Sequence, residues 1–360
     1  MWMKRIVRTC LPVLLFAVLC SSSAHAAKQS LDIRALASGG ELNAASAAQM
    51  LRALATGKLD DATDASLDFT INGHVSGADA RAILFYACGG FTDWTAFGER
   101  VSTGLCSEWL FDHFSYTGTY DDAKGNYKSE NVSVTIQQGR ISDSDYYLAD
   151  IYIQDISCFV TAFGHNEFMG DAESVRQILS SIPGGIVGMN GDFYSINVYG
   201  PVVRNGETYV NRVSGYWDLA VLDGSGVLTV YPYGKLKKAA LKEMDAYQTW
   251  VFGPSLLDET GHAKTQFRSK VLPRNPRSVL GYYEPGHYAF LLVDGRSQTC
   301  AGITLADLSQ FCEDLGFKSA YNLDGGQSSA LVSQSGAIDN PFRDGRAVSD
   351  ILAIRELPEG

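Results

Sequence analysis

Proline is scarce in this chain, with 10 in 360 residues. Beside 36 glycines and a 46% hydrophobic content, that excludes fibrous and low-complexity disordered classes. Positive charge is also short: 29 Lys and Arg against 40 Asp and Glu leave a net charge of −11. The one short basic run, Lys235 to Lys238, is too small a patch for a nucleic-acid partner. There is no CxxC pair, and His113, His165, His262 and His287 lack metal-ligand spacing, which argues against a zinc hydrolase. No GxSxG elbow indicates a serine esterase, and no glycine-rich loop with Lys and Ser/Thr indicates a nucleotide enzyme. Nor is there an apolar run of the roughly 20 residues that a membrane-spanning helix requires.

What the N-terminus does contain is an export signal. "MWMKRIVRTCLPVLLFAVLCSSSAHA" has a basic start at Lys4, Arg5 and Arg8, an apolar stretch from Leu11, and small residues at Ala24 and Ala26. Cleavage after Ala26 is expected, giving a protein that is secreted or held at the cell surface. Leu19 stands before Cys20, where a lipoprotein site needs a small residue. Removing the signal leaves Cys88, Cys106, Cys158, Cys300 and Cys312, an odd number at wide spacing that permits one or two bridges without pairing them.

Residues 27–92 read as a small all-α module. "ALASGGELNAASAAQMLRALATG" (Ala35 to Gly57) aligns with "DFTINGHVSGADARAILFYACGG" (Asp68 to Gly90), and each copy is a loop followed by a short helix. The second loop offers oxygens at Asp68, Thr70, Asn72 and Asp79, with Gly73 at the sharp turn. The module resembles a degenerate dockerin, which implies a cohesin-type scaffold protein as partner. The first loop lacks carboxylates, so either a calcium-independent helical hairpin or one weak Ca2+ site, in the range of roughly 10⁻⁴ M or worse, fits these residues.

Residues 93–113 read as a linker, and residues 114–360 as a sheet-rich α+β domain. "NVSVTIQQ" and "YYLADIYIQD" alternate apolar and polar residues as strands do. "SVRQILSSI" (Ser174 to Ile182) has helical spacing and is stopped by Pro183-Gly184-Gly185. "TLADLSQFCEDLG" predicts a helix with Thr304 as N-cap, Asp307 in the third helical position and Gly316 as C-cap.

Four stretches in this domain end an apolar run in a polar, glycine-containing turn: "VGMNGDFY" (Val187 to Tyr194), "NPRSVLGYY" (Asn275 to Tyr283), "LLVDGRSQTCAG" (Leu291 to Gly302) and "YNLDGGQSSALV" (Tyr321 to Val332). Taken singly, Asn190-Gly191 and Asp294-Gly295 are ordinary turn pairs. Together they place acids and arginines at strand ends, from which side chains can converge on one rim of a sheet.

This ordered set resembles the phosphodiester glycosidase family, from about Asn131 to Arg355 and most closely from Phe290 to Ala353. Gln327 departs from the pattern, which has a third glycine there. The resemblance implies hydrolysis of a sugar-1-phosphodiester, in a phosphate-linked glycan, with no cofactor required for catalysis. A phosphomonoester leaves readily, so cationic support matters more than a strong general acid. Arg277, Arg296 and Arg346 are the candidate phosphate ligands, with Arg296 also placed in the catalytic set. Asp324 and Asp192 are the candidate carboxylates for activating water or stabilising a cationic sugar. Gly325 and Gly326 are candidates for an anion-holding nest. Asn190, Gly191, Asp294, Asn322, Ser328 and Ser329 complete the substrate-binding set, and Tyr194, Tyr216 and Trp217 are candidates for a stacking platform. A non-catalytic module binding anionic polysaccharide through the same arginines is the alternative.

Overall fold

The structure is a computed structural model that describes residues 44–56, 79–80, 83–84, 113–115, 118–196, 200–213, 217–236 and 245–358. The expected signal segment and the loop positions Asp68, Thr70 and Asn72 lie outside the described residues. The first repeat helix is present as Ala44–Ala55, with Ala47 and Met50 fully buried. In the second, Ala80 and Ile83 are buried, and so is Asp79, the last position of the expected calcium loop.

The described residues from Phe114 onward form the sheet-rich α+β fold that the strand patterns anticipate, and every pairing among the described strands is antiparallel. A seven-stranded sheet runs in the order Tyr120–Asp121, Tyr127–Lys128, Val132–Ile141, Ser144–Ile153, His287–Val293, Arg277–Glu284, Ser319–Asn322. A five-stranded sheet is ordered Gly336–Ala337, Leu331–Ser333, Gly185–Asn190, Asp350–Arg355, Phe159–Phe163. Smaller sheets of three strands (Leu228–Tyr231, Leu219–Asp223, Ala246–Trp250) and two (Val202–Arg204, Glu207–Val210) complete it.

The run "HYAFLLV" shows why the larger sheet is sandwiched. Side chains alternate across a strand, and here both faces are covered. Tyr288, Phe290 and Leu292 enter the central core, against Val187 and Met189 of the five-stranded sheet and Ala220 and Trp250 of the three-stranded one. Ala289, Leu291 and Val293 point the other way and pack under the helix Leu305–Asp314 through Leu305, Leu308 and Cys312. The second helix, Val175–Ser181, covers the outer face of the five-stranded sheet through Val175, Ile178 and Leu179. The layers are therefore helix, sheet, central core, sheet, helix. Truncating Phe290, which is fully buried, to Ala would cost about 3–5 kcal/mol of that core.

Both helices begin as their caps dictate. Ser174 Oγ accepts from Gln177 N at 3.3 Å, and Thr304 Oγ1 accepts from Asp307 N at 3.1 Å. Leu315 caps the C-terminus of Leu305–Asp314, and Gly316, expected as that cap, follows it in the left-handed position at φ 81°. Cys158, Cys300 and Cys312 are free and buried, while Cys88 and Cys106 lie outside the described residues.

Candidate active site

Three neighbouring strand ends of the large sheet meet one strand end of the five-stranded sheet. Arg277 opens its strand opposite Val293, the end of the strand that leads into Arg296. On its other side Val279 pairs with Asn322, two residues before Asp324. Asn190 ends the Gly185–Asn190 strand and reaches across, donating through Nδ2 to the Asp324 carbonyl at 2.7 Å. Its Oδ1 accepts from Ser278 Oγ at 2.7 Å, so Asn190 ties the two sheets together beneath the loop. The Asp324 N–H donates to the Gly191 carbonyl at 3.3 Å. The result is a cavity of about 280 Å³ lined by Arg277, Arg296, Asp324, Arg346, Asn275 and Gln327, with Phe252 on one wall.

The Asp324 carboxylate is held on both oxygens. Oδ1 accepts from Gly325 N at 2.9 Å; Oδ2 accepts from Ser328 Oγ at 2.5 Å and Arg346 Nη2 at 2.8 Å. Arg346 Nε also donates to Ser328 Oγ at 2.6 Å, closing a three-membered cluster. The Arg346 side chain is nevertheless 42% exposed and that of Asp324 12% exposed, so this pair faces the cavity.

The other two arginines differ in having no acid. Arg277 is 2% exposed and spends its hydrogen bonds on main-chain carbonyls: Nη2 on Val271 and Pro273, both at 2.6 Å, and Nε on Ile303 at 3.3 Å. Burial, with the neighbouring charge of Arg296, lowers its pKa to about 10. Arg296 donates through Nε and Nη2 to Asn275 Oδ1 at 3.0 and 2.7 Å. Among the described residues neither forms an ion pair. Two adjacent guanidiniums without an acid partner among the described residues give this wall positive charge.

Gly326 is required by its surroundings. Its φ is +68°, and a Cβ there would sit 3.0 Å from the Arg296 guanidinium nitrogens. The N–H groups of Gly325 and Gly326 already donate, to Asp324 Oδ1 and the Pro276 carbonyl. In place of the expected anion nest, these glycines let the loop lie close to Arg296 and Pro276.

Several expected site residues are placed elsewhere. Asp192 is 1% exposed and does not line the cavity. Its Oδ1 accepts from Arg204 Nη2 at 3.0 Å and its Oδ2 from Val251 N at 2.7 Å. Arg204 also donates through Nε and Nη2 to Asp350 Oδ2 at 3.0 and 2.8 Å. Burial opposes the Arg204 charge, but the two carboxylates outweigh it and raise its pKa. Sequence reasoning missed Arg204 and Asp350; a charge following Val202-Val203 in an apolar strand was the available signal.

Asp294 faces away from the cavity, toward Asn340, whose Nδ2 lies 3.5 Å from its Oδ2. Burial pushes its carboxyl up to about 6. Asp145, Asp294 and Cys300 have ligand-type atoms within 4.8 Å of one another, but Asp145 is already paired with Arg140 at 2.6 Å. Asn322 is buried and donates to the Gly253 carbonyl at 2.8 Å; Ser329 is also buried. Tyr194 packs in an aromatic cluster with Phe163 and Phe168, and Trp217 packs against Leu219 and Val251. Neither forms a stacking platform at the cavity, and Tyr216 lies outside the described residues.

A larger groove of about 600 Å³ runs along Leu228, Val230, Leu257 and Lys264. Of the two acids that line it, Asp258 accepts through Oδ1 from Thr260 and His262 of its own turn, and its lining holds one Lys and no Arg. The smaller cavity, with its cations and reachable carboxylate, is the candidate site.

Residues 183–355 match the family model described as phosphodiester glycosidase, a span that contains every cavity-lining residue. The family resemblance carried by the four motifs therefore stands. The chain is 28% identical over 178 residues to the SPbeta prophage-derived uncharacterized protein YomE of Bacillus subtilis (strain 168), covering 47% of this chain and 28% of that protein. It thus spans little more than a quarter of the curated relative. The zebrafish N-acetylglucosamine-1-phosphodiester alpha-N-acetylglucosaminidase catalytic domain, auto-inhibited by its pro-peptide, superposes with a TM-score of 0.51 at 20% identity, over 63% of this chain and 83% of that one. A hypothetical protein from Synechocystis gives 0.50 at 13% identity, over 62% of each chain. These two structures share the fold.

Proposed function

From the family match and the charges of the cleft, we propose that the chain hydrolyses a sugar-1-phosphodiester, releasing the sugar and leaving a phosphomonoester on the other group. The observation that carries this is the juxtaposition, in one 280 Å³ cavity, of two acid-free guanidiniums and a hydrogen-bonded carboxylate. The diester phosphate sits against Arg277 and Arg296, whose charges stabilise the phosphomonoester as it departs. The C1–O bond breaks with its electron pair passing to the phosphate oxygen. Water adds its oxygen to C1, and its proton goes to Asp324, whose negative charge also supports the cationic sugar in the transition state. Ser328 and Arg346 orient that carboxylate.

The name of the zebrafish neighbour suggests an N-acetylglucosamine-type sugar, and the N-terminal export signal suggests a glycan of the cell envelope or capsule. No described helix is long and apolar enough to cross a membrane. The N-terminal module is proposed to bind at most one weak calcium, through Asp68, Thr70, Asn72 and Asp79; calorimetry finding two tight sites would overturn that. Activity is tested by offering purified protein a panel of sugar-1-phosphodiesters and measuring free sugar beside binding. Turnover supports the hydrolase; saturable binding of every member without product supports a binding module instead.

A further inference from the structure

The segment that delivers Arg346 to Asp324 is held in an unfavourable shape. Arg343, Asp344 and Gly345 are consecutive left-handed residues, at φ 53°, 61° and 75°, and only the last is glycine. Residues with a Cβ avoid that region, so the surroundings must hold this turn in place. Among the described residues, its side-chain hydrogen bonds to the Asp324 turn come from two places. One is Arg346 itself, through Asp324 and Ser328. The other is Gln327, whose Nε2 donates to the Gly345 carbonyl at 3.0 Å, immediately before Arg346. Gln327 also lines the cavity.

These two ties respond differently to an anion. A phosphate entering the cavity competes with Asp324 for the partly exposed Arg346 guanidinium. The bond from Gln327 is neutral, ends on main chain, and is indifferent to that competition. We propose that Gln327 is a positioning residue: it clamps Gly345 so that Arg346 stays within reach of both Asp324 and the substrate phosphate while its own ion pair is being exchanged. This rests on the hydrolase reading above and adds a residue to it.

A double-mutant cycle on the full chain tests the coupling, with kcat and KM measured on a hydrolysed diester and thermal melts confirming folding. Gln327→Ala is expected to lose roughly 3- to 10-fold in kcat/KM, the scale of one partly buried hydrogen bond. Gln327→Glu keeps the length but presents oxygen to the Gly345 carbonyl, so it should lose a similar factor. In an Arg346→Ala background, adding Gln327→Ala should change kcat/KM by less than about twofold, because the group being positioned is gone. A wild-type-like Gln327→Glu, or an equal loss from Gln327→Ala with and without Arg346, overturns the proposal. Should wild type release no sugar from any diester, the hydrolase reading fails. The same cycle is then read by calorimetry with inorganic phosphate, where Gln327→Ala should weaken binding only when Arg346 is present. Wild type that neither turns over nor binds phosphate removes both.

Discussion

Two arginine–carboxylate clusters lie on either side of the Asn190–Gly191 strand end, built from the same chemical groups but in different solvent. In one, Arg204 sits between Asp192 and Asp350, and all three side chains are 1 to 2% exposed. In the other, Arg346 meets Asp324 and Ser328 with its side chain 42% exposed. Without water, each Arg204 nitrogen must be matched, and each is, by Asp192, Asp350 and the Val203 and Thr249 carbonyls. At the open rim, the second leaves part of its guanidinium facing the cavity. Burial thus separates framework from candidate chemistry where residue type does not.

The largest effect expected is on turnover. Asp324→Asn keeps an acceptor oxygen but cannot carry negative charge or take a proton, so the rate should fall by about 10² to 10⁴ while the melting temperature changes little. A folded Asp324→Asn protein with wild-type turnover would erase the functional half of the comparison. Arg204→Met should act on stability instead. It leaves two buried carboxylates facing each other, and chemical denaturation should show a loss of about 3–5 kcal/mol.

Asp192→Asn sharpens the boundary between the clusters. Arg204 would still hold Asp350, so a stability loss of about 1–3 kcal/mol is expected, with turnover within about tenfold of wild type. A loss of turnover as deep as that of Asp324→Asn, in a protein that still melts cooperatively, would move Asp192 from the framework to the chemistry. Arg296→Lys retains the charge but loses the planar fork that Asn275 orients; a KM increase on the order of tenfold is expected, with folding intact.

The smallest effect is a pH dependence away from both clusters. Burial pushes Asp339 up to about 7 and Asp294 up to about 6. The folded state therefore holds these protons more tightly than the unfolded chain does. The stability this contributes is fully present below the ordinary carboxylate range and is lost as pH rises through about 6 to 7. Thermal melts should be higher at about pH 5 than at about pH 8 in this respect, and Asp339→Asn should flatten the slope. A variant with an unchanged slope would remove Asp339 from this account.

Much of this was legible in the chain. Thr304 announced its helix because capping is a local bond between residues three apart, while helical spacing alone marked the one after Ser174. The alternation in "NVSVTIQQ" and "YYLADIYIQD" marked two strands, and the four strand-end turns pointed to the cleft. The roles of Asp192 and Asp324 could not be separated that way, since each follows a strand end beside glycine. Arg204 and Asp350 lie 146 residues apart, so no local pattern joins them. Asp294 and Arg296 share one short motif, yet the chain turns between them so that one enters the interior and the other the cavity.

By itself, then, the sequence determined the local matters: which segments are helix or strand, where they stop, and which turns carry acids and arginines. Those follow from caps, side-chain periodicity and backbone freedom acting over a few residues. The tertiary structure alone decided which arginines lack an acid among the described residues, which carboxylate reaches the cavity, and that Gln327 meets the Gly345 carbonyl. Each of these depends on how much water remains around a charge once distant strands have closed over it, and that is set by the packing of the two sheets.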